Sequence, residues 1–480
     1  MTPEPRSPSN SIIRYISGDF GHVMLRLRRP PEWGVDPVPE SLRTLRTFDL
    51  FVLWSSLGVG LLVLAAGALL VTLLGLTLWE SVVVSIVGSV IGSALLAAAA
   101  HHGSRAGVPT MVSLRPILGR KGSYAPTGLN VVQLLGWTAF ELLVMSEATA
   151  ILTDHFLGPW TAAIFVPIWG AVTVALALGG PLAVVRDWLE RFAIWIVYAS
   201  TATVAIALFL HGLNPNLRPA TVAGNFLGPS SLLLGLDLVV AMPISWWPLI
   251  SDYNRFAARP RDSALGTTLG YVAANTAFYV LGAGLAFLGI TQFGMAPSNP
   301  TGFLLTLGLL GLSVLPLLAI LADETDNAFA DVYSTAVSIQ NLLPKRRQAG
   351  IILGAAAIGV GAAWYLIATG QGIGGAYGGF LLLIGGLFVP LLGVVVADSF
   401  VVRRGSYPAA AFFEAAPRWR WPAFASWIPG AALYFAIVLL NLPVGATLPS
   451  FGLAAALQIA FSKVDASLTR PRSAAAGGDP

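Results

Sequence analysis

The sequence predicts an all-α integral membrane protein of twelve transmembrane helices. Twelve apolar stretches carry the prediction, near residues 47–73, 79–101, 125–151, 159–179, 189–210, 230–252, 265–290, 312–342, 348–368, 374–400, 421–441 and 445–462, here spans 1 to 12. Each can cover a hydrocarbon core of roughly 30 Å, which takes about 20 apolar residues. Charge placement is the second observation. With the N-terminus inside, 26 of the 27 Lys and Arg fall in inside segments, and only Arg218 faces out. The positive-inside rule demands such a bias, and a misplaced span would scramble it. Composition is the third: 56% of residues are hydrophobic and 10% charged, against roughly 25% charged in soluble domains.

The arginine clusters therefore read as topology and contact with anionic lipid, not as nucleic-acid binding. The chain has no cysteine, hence no disulfide framework and no thiolate site. Residues 1–46 are polar and rich in Pro and Arg. They lack the apolar core of a cleavable signal and are expected to form a cytoplasmic tail. Residues 463–480 are expected to form a second one. The membrane domain is then 47–462, and no loop within it approaches the roughly 50 residues a soluble domain needs.

Spans 1 and 6 share a pattern. Span 1 carries Asp49-Leu50-Phe51-Val52 and reaches Gly58-Val59-Gly60; span 6 carries Asp237-Leu238-Val239-Val240 and reaches Pro243. In both, Asp-Leu-x-Val precedes a helix breaker. Five spans apart, the two segments cross the membrane in opposite directions. That is the sign of an inverted repeat with discontinuous helices, whose breaks hold substrate and ion sites. The plainer reading is that Gly and Pro are frequent in membrane helices. Depth favours the first. A count of about ten residues, half a span, inward from Arg46, Lys121, Arg255 and Lys345 reaches residues 57–58, 133–137, 243–245 and 331–334. Breaks and polar residues thus share one level.

Span 3 supplies Gln133, Trp137 and Glu141, spaced i, i+4, i+8 and so on one face. An aromatic plate beside an amide and a carboxyl suits a flat heteroaromatic ligand. The indole stacks on its face and the polar pair reads its edge. The alternative is a packing tryptophan with Glu141 bonded to a neighbour, but a carboxyl deep in a membrane is costly and rarely idle. Span 8 is denser. Asp323, Asn327, Asp331 and Ser334 share a face, and Glu324 and Asp326 lie among them. Four carboxyls cannot all ionise in hydrocarbon; some must be protonated, wet or paired with a cation. A register that used 302–321 as the span would push these acids to the cytoplasmic rim. It would also leave 331–342 as an amphipathic stretch in the cytoplasm. A short interfacial segment at 300–309 followed by a long span 8 fits better.

These residues resemble the nucleobase–cation symporter-1 family over nearly the whole chain. Arg115-Pro116-Ile117-Leu118-Gly119-Arg120-Lys121-Gly122-Ser123 is similar to the family's Arg-x-x-x-Gly-x-x-Gly-Ser loop before span 3. Gly136-Trp137 with a polar residue at 141 resembles its span 3 motif. Ser245-Trp246-Trp247-Pro248 through Asp252-Tyr253-Asn254-Arg255-Phe256 resembles its span 6 end. Phe388-Val389-Pro390 and Ala397-Asp398-Ser399-Phe400 resemble its span 10 signature. Within the family the span 6 and span 8 segments look most like the hydroxymethylpyrimidine and cytosine permeases.

The resemblance implies a LeuT-type fold of five plus five helices with two more, spans 1 and 6 being broken. It also implies a ring held between aromatics of spans 3 and 6. Trp137 takes the stacking position and Trp246 stands one turn past Pro243. Glu141 and Asp331 fall where the family often has Gln and Asn. With Gln133, Pro243, Ser245 and Asn327 they make the expected substrate set. Ser55 and Gly58 of span 1 with Ala322, Thr325 and Asp326 of span 8 make the expected cation set. Asp326 replaces a hydroxyl there, which leaves Na⁺ or H⁺ open.

The expected function is cation-coupled import of a nucleobase-like or pyrimidine-like ring by alternating access. The carrier is expected to be a monomer in the cell membrane, with both termini inside and no other cofactor. An amino-acid permease of the same fold would need an amide nest in span 1 for a carboxylate. A membrane-embedded enzyme would need a metal cluster or a nucleophile–base pair, and the five histidines, His22, His101, His102, His155 and His211, show no ligand spacing.

Overall fold

All twelve apolar stretches hold helix in the computed structural model of the protein. It describes residues 33–153, 156–158, 160–213, 229–294, 302, 306–308, 310–312, 315–370, 372–405, 407–413 and 416–469. Arg218 and residues 1–32 lie outside the described residues, and so does most of the expected interfacial segment 300–309. Nine described helices are long and apolar enough to cross a membrane, and the bent pair Thr47–Ser56 and Leu61–Thr72 of span 1 makes a tenth. The remaining stretches are filled by Leu315–Leu342 and Thr447–Thr469, both richer in polar residues. Leu315–Leu342 carries the span 8 acids mid-helix, as the preferred register requires. The last helix runs through position 463, where a tail is expected to begin, and ends at Thr469.

Packing sorts the spans into sets. Spans 1, 2, 6 and 7 pack together, spans 3, 4, 8 and 9 pack together, and spans 10, 11 and 12 pack on one another. The first two sets repeat with a step of five, as a five-plus-five repeat requires. Small residues allow the close approaches. In Pro260–Phe293 of span 7, Gly266 lies over Leu50 and the Thr47 carbonyl, Gly270 over the Phe51 carbonyl and Gly282 over the Leu64 carbonyl. A methyl group at any of them would collide with span 1, so van der Waals contact between backbones replaces the missing hydrophobic drive in lipid.

The two breaker-bearing spans differ. Span 1 bends by 65° between its halves. Span 6 does not break at Pro243, which lies inside Pro229–Ser245. Its irregularity comes one turn later, where Trp247–Leu249 forms a 3₁₀ turn before Ile250–Asn254. Proline removes one N–H but leaves its carbonyl free to accept. Here that carbonyl accepts from Trp246 N at 3.2 Å, and the Trp246 carbonyl accepts from Leu249 N at 3.2 Å.

At the end bearing Arg255, the stretch before span 1 is fixed to the bundle. Leu45 N donates to Phe256 O at 3.0 Å, Ala258 N to Leu45 O at 2.7 Å and Val38 N to Gly107 O at 2.9 Å. The buried Arg255 guanidinium links this stretch to span 8, reaching Gly34 O at 2.8 Å and the Tyr333 hydroxyl at 2.9 Å.

Candidate substrate site

The break in span 1 is where the site forms. Gly60 has φ +154° and ψ 160°, a region that side-chain-bearing residues essentially avoid. The chain turns there and exposes two backbone groups that need partners in a medium without water. Span 8 supplies both. Glu324 Oε1 accepts from Leu61 N at 2.7 Å, and Asn327 Nδ2 donates to Val59 O at 3.2 Å. Asn327 Nδ2 also donates to Glu324 Oε2 at 3.3 Å. Glu324 thus places a carboxylate at the N-terminus of the second half-helix, the end at which the helix dipole favours negative charge.

A cavity opens beside this cap, with room for about 30 Å³, enough for roughly two waters. A ring therefore requires its walls to part. Trp137 and Glu141 line it from span 3, Ser245 and Trp246 from span 6, and Asn327 and Asp331 from span 8. Six of the eight expected substrate residues thus converge. Glu324 completes the polar wall, while Leu57, Val59, Leu62, Val63, Met242 and Leu249 form the apolar one.

Aromatic contacts fix the plates. Trp137 meets Phe380 of span 10 edge-on at 5.3 Å, and Trp246 meets the buried Trp54 edge-on at 6.3 Å. Trp54 is itself held by its Nε1 bond to Asn254 at 2.8 Å. Two indoles thus face one space from two helix sets, an arrangement suited to a flat ring.

The other two expected residues stand behind this layer. Gln133 donates to Asn130 at 2.8 Å, and Asn130 donates to Pro248 O at 3.2 Å and Ser338 at 2.9 Å. This buried chain ties span 3 to spans 6 and 8 beneath the cavity. Pro243 turns the other way, its ring nested on Gly92 of span 2.

Of the expected cation set, Thr325 and Ala322 meet each other: the hydroxyl donates to the carbonyl at 2.6 Å. Ser55 donates to Val52 O at 3.1 Å and lies 2.6 Å from the Tyr198 hydroxyl. Gly58 abuts Ala274 of span 7. Asp326 is fully buried beside the Ser56 hydroxyl, and neither of its oxygens makes a well-formed hydrogen bond among the described residues. Beside it in sequence, Asp323 accepts from Ser56 at 3.1 Å, leaving Oδ2 without one. Ser56 and Asp323 were not among the expected ligands. Their polarity and their position next to Ser55 and one turn before Asp326 are visible in the sequence.

Glu324, which caps Leu61 N and lines the cavity, is the residue absent from the expected site. The signal was present: Glu324, Asn327 and Asp331 are spaced i, i+3, i+7 and so form a stripe. The face through Asp323, Asn327 and Asp331 is one residue off, because Asp323 meets Ser56 rather than the cavity.

A helical membrane protein with two interlocked helix sets, and a polar cavity at a broken span lined by indoles, is built as a LeuT-type carrier. Comparison with known proteins places it more closely. Residues 37–460 match the family described as permease for cytosine/purines, uracil, thiamine, allantoin. The chain belongs to that family, the nucleobase–cation symporter-1 permeases. It is 26% identical over 397 residues to a putative allantoin permease of Escherichia coli, covering 77% of this chain and 79% of the relative. It is 25% identical over 398 residues to the purine-uracil permease NCS1 of Arabidopsis thaliana, covering 77% and 63%. The fold matches that of Mhp1, a nucleobase-cation-symport-1 family transporter solved in a closed conformation with bromovinylhydantoin bound. The TM-score is 0.71 at 19% identity, over 92% of this chain and 97% of that one.

Proposed function

We propose that this permease imports a nucleobase-like heteroaromatic ring across the cell membrane, coupled to a cation, by alternating access. The observation that carries the reading is the pair of indoles, Trp137 of span 3 and Trp246 of span 6, lining one cavity together with Glu141, Asn327 and Asp331. Relatives named for purines, uracil and allantoin support the substrate class. The amino-acid reading fits less well. A substrate carboxylate would need the free amides at the span 1 break, and Leu61 N is already taken by Glu324.

The coupling ion is assigned to the region of Asp326 and Ser56, where neither buried Asp326 oxygen has a well-formed hydrogen bond among the described residues. A buried carboxylate in low dielectric needs a proton or a metal cation as counter-charge. The carrier works as a monomer with both termini inside, the arrangement that leaves the basic residues on the cytoplasmic face.

The test is uptake into proteoliposomes under imposed Na⁺ or proton gradients. Trp137→Ala should cut uptake of the transported ring on the order of a hundredfold, since base–aromatic stacking is worth about 1–3 kcal/mol. Asp326→Asn should leave ring binding in place and abolish the response to the driving gradient. Wild-type uptake of no ring under either gradient would sink the proposal.

A further inference from the structure

Opposite its apolar lining the cavity carries three carboxyls and one amide, Glu141, Glu324, Asp331 and Asn327. Glu141 is only 5% exposed, and its Oε2 has no hydrogen-bond partner among the described residues. Its carboxyl is hydrogen-bonded to that of Glu324, so the two share a proton and Oε2 is the oxygen left for a ligand. Asn327 is 3% exposed; its amide nitrogen is occupied by Val59 O and Glu324 Oε2, which leaves Oδ1 without a partner. Asp331 adds a third carboxyl, and among the described residues no Lys, Arg or His lines the cavity.

An amide at position 141 or 331 would offer a donor and an acceptor together, and so would read a lactam edge, which alternates N–H and C=O. A carboxylate accepts only. Buried acceptors left without donors cost free energy, and whichever of the three neighbouring carboxyls stays ionised needs a positive counter-charge. The ligand must then supply both hydrogen atoms and charge.

We propose that the site selects a ring whose polar edge carries donors only. Such an edge is of amidine type, with amino groups flanking a ring nitrogen that can bind a proton, as in a 2,4-diaminopyrimidine. Glu141 accepts from that edge through Oε2. Asn327 Oδ1 and Asp331 take the outer amino hydrogens. Glu324 holds the span 1 break in place behind them. The inference rests on the ring-transport reading and sharpens it to one substrate class.

The decisive pair of probes is 2,4-diaminopyrimidine and uracil, which share a ring and differ in amino against oxo groups at the same two positions. Binding to the purified full chain is read by quenching of intrinsic tryptophan fluorescence, because Trp137 and Trp246 line the cavity. The diamino ring should bind at least about tenfold more tightly, since a site built for hydrogen bonds rejects an analogue that cannot make them. Glu141→Gln should bring the two affinities to within about threefold, because an amide can serve either edge. Thermal melting of each variant separates lost selectivity from lost folding, and the wild-type ratio needs no variant at all. Equal or tighter binding of uracil to the wild type overturns the inference and leaves ring transport standing. An unchanged ratio in a folded Glu141→Gln protein also overturns it. Failure of both pyrimidines and of purine rings to bind overturns the inference and the transport reading together.

Discussion

Spans 1 and 6 begin from the same Asp-Leu-x-Val segment and both carry helix breakers, yet only span 1 bends sharply. The difference lies in what stands opposite. At the span 1 break, Glu324 and Asn327 satisfy the freed Leu61 amide and Val59 carbonyl. In span 6 the backbone satisfies itself through a 3₁₀ turn. Even the shared aspartates diverge. Asp49 accepts from Arg46 N at the start of its own helix, at 2.6 Å. Asp237 accepts from Thr447 N at 2.8 Å and Ala446 N at 3.1 Å, at the start of span 12. In a membrane, a helix opens where another span brings polar groups to cap it, because no water can do so.

The comparison predicts that span 1 depends on its caps. Glu324→Ala should have the largest effect. It removes a charged hydrogen bond and leaves Leu61 N buried, a loss of about 3 kcal/mol. Melting temperature in detergent should fall clearly, and Glu324→Gln should recover most of the loss because its carbonyl oxygen can still accept. Equal melting of the alanine variant and the wild type would mean the cap contributes nothing.

Gly60→Ala comes next, at about 2 kcal/mol, the cost of a side chain in backbone territory that only glycine populates freely. A Cβ there would also stand 3.0 Å from Glu324 Oε1. Combining it with Glu324→Ala should cost less than the sum, since each disturbs the same contact. Strict additivity in melting would argue that the two residues act apart.

Asn327→Ala should cost about 1 kcal/mol for the neutral bond to Val59 O. It should also loosen the Glu324 carboxyl, which loses the Nδ2 donor at 3.3 Å. Hydrogen exchange at residues 57–61 should speed up in this variant while exchange in span 6 stays as in the wild type. Faster exchange in both spans would show that the two do not differ as the structure has them.

Much of this was legible in the sequence because it rests on signals that sum over many residues. Span positions follow from apolar length and from the side on which Lys and Arg fall, and both survive local irregularity. The convergence of Trp137, Glu141, Asn327 and Asp331 follows from depth, helical spacing and the family resemblance together. What failed was local. Glu324 caps an amide 263 positions away, and nothing in its neighbourhood names that partner. Gln133 has the depth and the face of a ligand residue, but the nearby Asn130 takes its amide. Pro243 marks a missing N–H without saying whether the chain must bend there.

That last point can be tested, and it carries the smallest expected effect. If Pro243 were the hinge of span 6, Pro243→Ala would restore a bond to Val239 O, straighten the segment and draw Trp246 and Leu249 off the cavity. Uptake would then fall steeply. The structure predicts otherwise. Pro243 already sits within regular helix, and its ring packs on Gly92 rather than facing the cavity. Losing ring carbons costs about 0.8 kcal/mol for each buried methylene, and the regained backbone bond offsets about 1 kcal/mol. The two nearly cancel, so melting should move by no more than about 1 kcal/mol equivalent, and ring uptake should persist with its affinity unchanged. A folded Pro243→Ala protein that has lost uptake would return the hinge to position 243 and erase the contrast between the two spans.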